Sequence, residues 1–82
     1  MEEKKYAYLA KFDGYDVGIM YHLGRYLVVR FLRKEGGMMT YTIRQYKTIS
    51  GASNFMKRRF EETQLRYATE EFIKAGNYWK ED

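Results

Sequence analysis

The sequence contains no cysteine and no proline, and one histidine and one tryptophan among its 82 residues. Without cysteine there is no disulfide and no thiolate metal site. A single histidine also excludes a histidine-rich zinc centre. The lack of proline fits a compact domain without extended linkers. No apolar run approaches the length of a membrane span. The start, Met1-Glu2-Glu3-Lys4-Lys5, is charged and has no apolar stretch after it, so no signal peptide is read there. No repeat or low-complexity tract is present. These absences point to a cytoplasmic, non-membrane chain without cofactors.

What is present is aromatic and basic. Nine Tyr, five Phe and one Trp supply large buried area per residue. That matters in a chain this short, which buries only roughly 60–65% of its unfolded surface. Residues 1–47 hold nine Lys/Arg against five Asp/Glu, whereas residues 48–82 hold six against six. The formal charge of +4 therefore belongs to the front half. Charge placed this way speaks to association, not to fold.

The front half also alternates apolar and polar residues. Period-2 patterning and β-rich composition predict strands at about 6–12, 16–22, 26–34 and 38–46. Asp13-Gly14 reads as a two-residue hairpin turn, which pairs Lys11 with Asp16 and Tyr8 with Ile19. A three-residue loop Leu23–Arg25 pairs Ile19 with Val29 and Val17 with Phe31. A three-residue loop Glu35-Gly36-Gly37 then aligns Phe31 with Tyr41 and Val29 with Ile43. This register gathers Tyr6, Tyr8, Ala10, Phe12, Val17, Ile19, Tyr21, Leu27, Val29, Phe31, Met39, Tyr41 and Ile43 on one expected core face. It leaves Leu9, Lys11, Met20, His22, Tyr26, Val28, Arg30, Leu32, Thr40, Thr42, Arg44 and Tyr46 on the other.

After Lys47 the period becomes helical. Thr48 or Ser50 caps a helix carrying Ile49, Ala52, Phe55, Met56 and Phe60. Leu65, Ala68, Phe72 and Trp79 form a second apolar set. At about 100° per residue, Met56 and Leu65 lie on opposite sides of one unbroken helix. A break is therefore expected near Thr63–Tyr67, with Thr69 capping a second helix and Gly76 ending it. The expected fold is α+β in a single domain, 1–82. It comprises a four-stranded antiparallel meander over about 6–47, then helices at about 49–63 and 70–79, the first packed on one sheet face.

Several clusters carry a chemical reading beside a plainer one. Lys11, Arg30 and Arg44 with His22, Tyr26 and Tyr46 suit phosphate neutralisation and base stacking. The plainer reading is a solvated sheet face of ordinary β-formers, and it weighs more. The run Lys57-Arg58-Arg59 suits phosphate contact, Lys57 and Arg58 foremost. They are more simply an exposed helical turn paired with Glu61 and Glu62. A lone His22 without a nucleophile or acid nearby in sequence is no catalytic site. Glu61-Glu62 and Glu70-Glu71 diverge on a helix instead of converging. Gly36-Gly37 lacks the further residues of a phosphate loop.

The pattern Tyr46-x-Thr48-x-x-x-Ala52-x-x-Phe55, following the strand pair 26–46, resembles the strand-to-helix junction of arm-type DNA-binding domains in phage-like tyrosine recombinases. The likeness spans about residues 26–60. It implies a small sheet that enters the major groove, backed by a helix, and carries over no catalytic role. The same spacing serves any sheet-to-helix connection with Thr as cap.

The sequence thus suggests a small non-enzymatic binding module. Nucleic acid is narrowly favoured as partner over another protein. The protein-interaction alternative is a small adaptor or inhibitor of the kind phages and mobile elements encode, or a homodimer. Leu9, Met20, Val28 and Leu32 on the second face favour that alternative as a contiguous apolar patch.

Overall fold

The computed structural model describes residues 4–12 and 14–76. Its elements run β1 (Lys5–Phe12), β2 (Tyr15–His22), β3 (Arg25–Lys34), β4 (Gly37–Tyr46), α1 (Ile49–Arg59), a single 3₁₀ turn (Glu62–Gln64), β5 (Leu65–Thr69) and α2 (Glu70–Ala75). The fold is α+β, with one antiparallel five-stranded sheet in the order β4-β3-β2-β1-β5. Among the described residues, no helix is long and apolar enough to cross a membrane.

The first four strands match the alternation, and the expected pairing of Lys11 with Asp16 is present. Asp13 of the expected turn lies outside the described residues. The next two turns differ from expectation. Leu23 and Gly24 form a two-residue turn with φ of 48° and 77°, which pairs His22 with Arg25, Ile19 with Val28 and Val17 with Arg30. Positive φ at both central positions is what a type I′ turn requires, and its twist suits the flanking strands. The expected three-residue loop spared Leu23 that strained conformation; the molecule adopts it. At the third turn Lys34 pairs with Gly37, so this loop also has two residues, and Phe31 meets Thr40 instead of Tyr41. A bulge between Val28 and Val29 restores Val28 to Arg44 and leaves Ile43 as the extra residue of β4.

Directly opposed residues share a face, so a one-residue shift inverts a whole strand. In β3, Tyr26, Val28 and Arg30 therefore join Val17, Ile19 and Tyr21, while Leu27, Val29 and Phe31 turn to the other side. Tyr26 meets α2 through Glu70, and Tyr21 meets it through Lys74. Tyr46, opposite Tyr26, meets α1 at Phe55. Both helices therefore lie on the face of Ile19 and Val28, which are fully buried with Ala10, Ala52, Met56 and Ile73.

The opposite face was expected to be basic and aromatic. Its centre is apolar and buried instead. Leu9, Val29 and Phe31 are buried there. Gly18 leaves room for two of them: a Cβ at that position would stand 3.4 Å from Phe31 Cε1 and 3.6 Å from Leu9 Cδ1. The expected exposed patch of Leu9, Met20, Val28 and Leu32 does not form. Val28 and Leu9 are buried, Met20 and Leu32 half-buried, and Val28 faces the helices.

The helical region breaks as the opposed stripes require. Helix α1 ends at Arg59, earlier than the expected residue 63, because Phe60 adopts an extended backbone. Thr48 is the N-cap, its side chain accepting from the Gly51 N–H at 3.2 Å. The break holds more than a loop. Leu65–Thr69 forms β5 on the outer edge of β1, a fifth strand added to the expected four-stranded meander. Thr69 then caps α2 by accepting from the Phe72 N–H at 3.3 Å, with Glu70 and Glu71 in the first turn. Gly76 ends the helix in the left-handed conformation at φ 71°. The expected extension of this helix to residue 79 lies outside the described residues.

Two contacts set where α1 crosses the sheet. Gly51 lets the helix settle on Tyr46, for a Cβ there would stand 2.9 Å from the ring. Ser53, buried in α1, accepts a hydrogen bond from the Ala7 N–H at 3.0 Å. That donor sits beside the register shift between Ala7 and Leu9 in the β1–β5 pairing. Ser53 thus satisfies a buried backbone group near the irregularity.

A candidate arginine and aromatic cleft

Helix α1 runs from the Tyr46 end of β4 to the Phe12 end of β1, where Phe60 meets Phe12 at 4.8 Å between ring centroids. A diagonal crossing leaves the outer part of β3 and β4 beyond the helix. The wedge between them is a cleft of about 400 Å³. Phe12, Tyr15, Phe55 and Phe60 supply aromatic walls, Val17 and Ile43 add apolar surface, and Arg30, Arg44 and Arg59 supply charge. Among the described residues, no carboxylate lines it.

The arginines are held against rings. The Arg30 guanidinium lies 4.0 Å from the centre of the Tyr15 ring, and Arg44 lies 5.8 Å from that of Phe55. Arg59 follows Phe55 by four residues, which places both on one side of α1. Each cation–π contact alone is ordinary packing. Three like charges around one cleft with no acid among its described residues repel each other, and packing does not account for that. Beside the cleft, Tyr41 stands opposite Arg30 and is 51% exposed; Met39 and Ile43 on the same strand are 41% and 44% exposed.

The residues singled out in the sequence do not form one surface. Arg30 and Arg44 come together in the cleft, and Tyr46 joins their neighbourhood through Phe55, 6.3 Å between ring centres. Lys11 and His22 alternate with helix-facing Ala10, Phe12 and Tyr21, so they point to the opposite side, where both are exposed. Tyr26 is a structural residue. It is buried, and its hydroxyl donates to Glu70 at 3.1 Å. Burial, then that hydrogen bond, pushes its phenol up to about 12. Lys57 and Arg58 are exposed in the last turn of α1, where cations complement the helix dipole.

The expected pairing of that basic run with Glu61 and Glu62 does not form among the described residues. The helix has already ended, and both acids are engaged locally. The Glu61 side chain belongs to a capping box on the 3₁₀ turn. Glu62 accepts from the Tyr67 hydroxyl, 2.8 Å from each carboxylate oxygen. That hydrogen bond, and to a lesser extent burial, raises the Tyr67 phenol above its ordinary value.

The sequence pattern does not single out Phe12, Tyr15, Tyr41, Phe55 or Phe60 as site residues, and it marks Arg59 only as part of the basic run. The i, i+4 spacing of Phe55 and Arg59 was the available signal for α1. Tyr15 and Arg30 required the true β2–β3 register, in which Val17 faces Arg30. Among the described residues, no cluster of three or more His, Asp or Glu is placed to hold a metal ion. Compared with protein-family models, curated proteins and solved structures, the chain matches none of them.

Proposed function

We propose that this chain is a non-enzymatic nucleic-acid-binding module that works through the cleft between α1 and the β3–β4 hairpin. The observation that carries this reading is the convergence of Arg30, Arg44 and Arg59 with four aromatic rings, with no acid between them among the described residues. Guanidinium groups neutralise phosphates, and rings accept bases irrespective of sequence. Arginine keeps its charge at any physiological pH, so binding through this cleft does not switch near neutrality. The nucleic-acid surface moves from the outer sheet face expected from sequence to the helix-bearing face, beside α1.

Fluorescence anisotropy with random single- and double-stranded oligonucleotides tests the reading. Arg30→Ala, Arg44→Ala and Arg59→Ala should each weaken binding and reduce its salt slope by about one. Absence of binding at about 50 mM salt, where phosphate contacts are strong, removes the proposal.

One observation favours a protein partner as a second reading. Strand β4 is an edge of the sheet, with one neighbour among the described residues, and it presents Met39, Tyr41 and Ile43 outward. Such an edge suits strand addition by a partner or a second copy. Sedimentation reporting a monomer at high micromolar concentration excludes the second copy.

A further inference from the structure

Granted the nucleic-acid reading above, on which this rests, we infer that the cleft takes one unstacked base of a single strand and that Arg30 is the plate on which the base stacks. A volume of about 400 Å³ falls at the small end of ligand sites and suits one nucleotide. Paired bases in a duplex are stacked on both faces, so none can enter a recess walled by side chains without first being flipped out. Aromatic walls with apolar surface between them match the two faces of a base. Arginines around the same cleft match the phosphates on either side of it.

Arg30 is the residue that discriminates. Its guanidinium lies 4.0 Å from the Tyr15 ring centre, a stacking distance. The side chain is exposed and lines the cleft. A guanidinium held on a ring is a planar surface on which an unstacked base can lie. Arg44, at 5.8 Å from Phe55, is less closely seated and serves as a charge. Among the described residues, the cleft contains no Asn, Gln, Asp or Glu, the side chains that pair with adenine and cytosine edges, and its arginines suit only guanine. Any base preference should accordingly be for guanine.

The test uses the full chain with a labelled single-stranded 12-mer, the matching duplex, and a nucleoside monophosphate, all at one salt concentration. The single strand should bind about tenfold tighter than the duplex or better, in line with the worth of a stacked base. A 2-aminopurine placed in the strand should lose fluorescence on binding. Arg30→Lys keeps the charge and removes the plane; it should bring the single-strand to duplex ratio close to one, with circular dichroism confirming the fold. A duplex bound as well as the strand, with Arg30→Ala weakening both, overturns the base cleft and leaves the nucleic-acid reading standing. A ratio unchanged by Arg30→Lys also overturns it. A monophosphate bound as tightly as the strand overturns the strand in favour of a free nucleotide. Binding to none of the three overturns both readings.

Discussion

Strands β2 and β4 are built on the same alternation and end in opposite circumstances. In β2, Val17 and Ile19 are buried beneath the helices, and Gly18 between them is closed over by Leu9 and Phe31. In β4, Met39, Tyr41 and Ile43 occupy equivalent alternating positions and remain 41–51% exposed. The difference lies in position, since β2 is central and β4 is an edge that α1 leaves as it crosses. Alternation states which residues share a face; it does not state whether another layer covers that face. The proposed cleft forms at the boundary between the covered and uncovered parts.

A matched pair of substitutions tests this contrast most sharply. Ile19→Ala should cost about 2–5 kcal/mol, as truncations of fully buried side chains do. Ile43→Ala should cost no more than about 1 kcal/mol, because its side chain is already half in water. Urea denaturation of both variants measures the gap. Equal losses would mean that β4 is covered in solution, and the contrast would be lost.

Next in size is Ser53→Ala. It leaves the buried Ala7 N–H without its acceptor and should cost about 1–3 kcal/mol. A negligible loss would show that the register shift in β1 satisfies its donor in another way. Leu23→Asn concerns the turn that joins β2 to β3 and sets which residues meet the helices. Leu23 is 86% exposed and holds φ at 48°, a conformation that asparagine tolerates better than leucine. The substitution should stabilise by about 1 kcal/mol. A loss of stability would place the turn, and with it the β3 register, in question.

The last effect is a dependence on pH, seen only in alkali. The Tyr26 phenol is raised from 10.0 to about 12, mainly by burial. A group whose folded value exceeds its unfolded value contributes stability that is fully present below about pH 10. That contribution is lost as pH rises through about 12, because the unfolded chain releases the proton first. Thermal unfolding between pH 9 and 12 should therefore fall more steeply for the native chain than for Tyr26→Phe. Parallel curves would show that Tyr26 is not buried against Glu70 in solution.

Val28 shows how far one register decision reaches. In the expected pairing it belonged to an open apolar patch, where Val28→Glu would split a dimer. In the structure it is fully buried, opposite Ile19. The same substitution would place a charge in the core and unfold the chain. Only a one-residue change of loop length separates these outcomes.

The amino-acid sequence alone determined the four strands of the front half, the first hairpin register, the Thr69 cap, the glycine stop at Gly76 and the interruption of the helical region, and it narrowed the first cap to Thr48 or Ser50. Each depends on neighbours in the chain: side-chain period, cap chemistry and stripe angle are local quantities. It did not determine the two later hairpin registers, because Leu23 accepts a conformation that leucine seldom adopts and because β4 carries a bulge at Ile43. Nor did it determine β5, whose five residues are too few for a period and become a strand by pairing with β1. The cleft follows from both, since Arg30 reaches Tyr15, and Arg44 and Arg59 reach the same space, only once the register and the path of α1 are set. Tertiary packing made those choices, because contacts between distant segments outweigh the small local preferences that sequence patterns record.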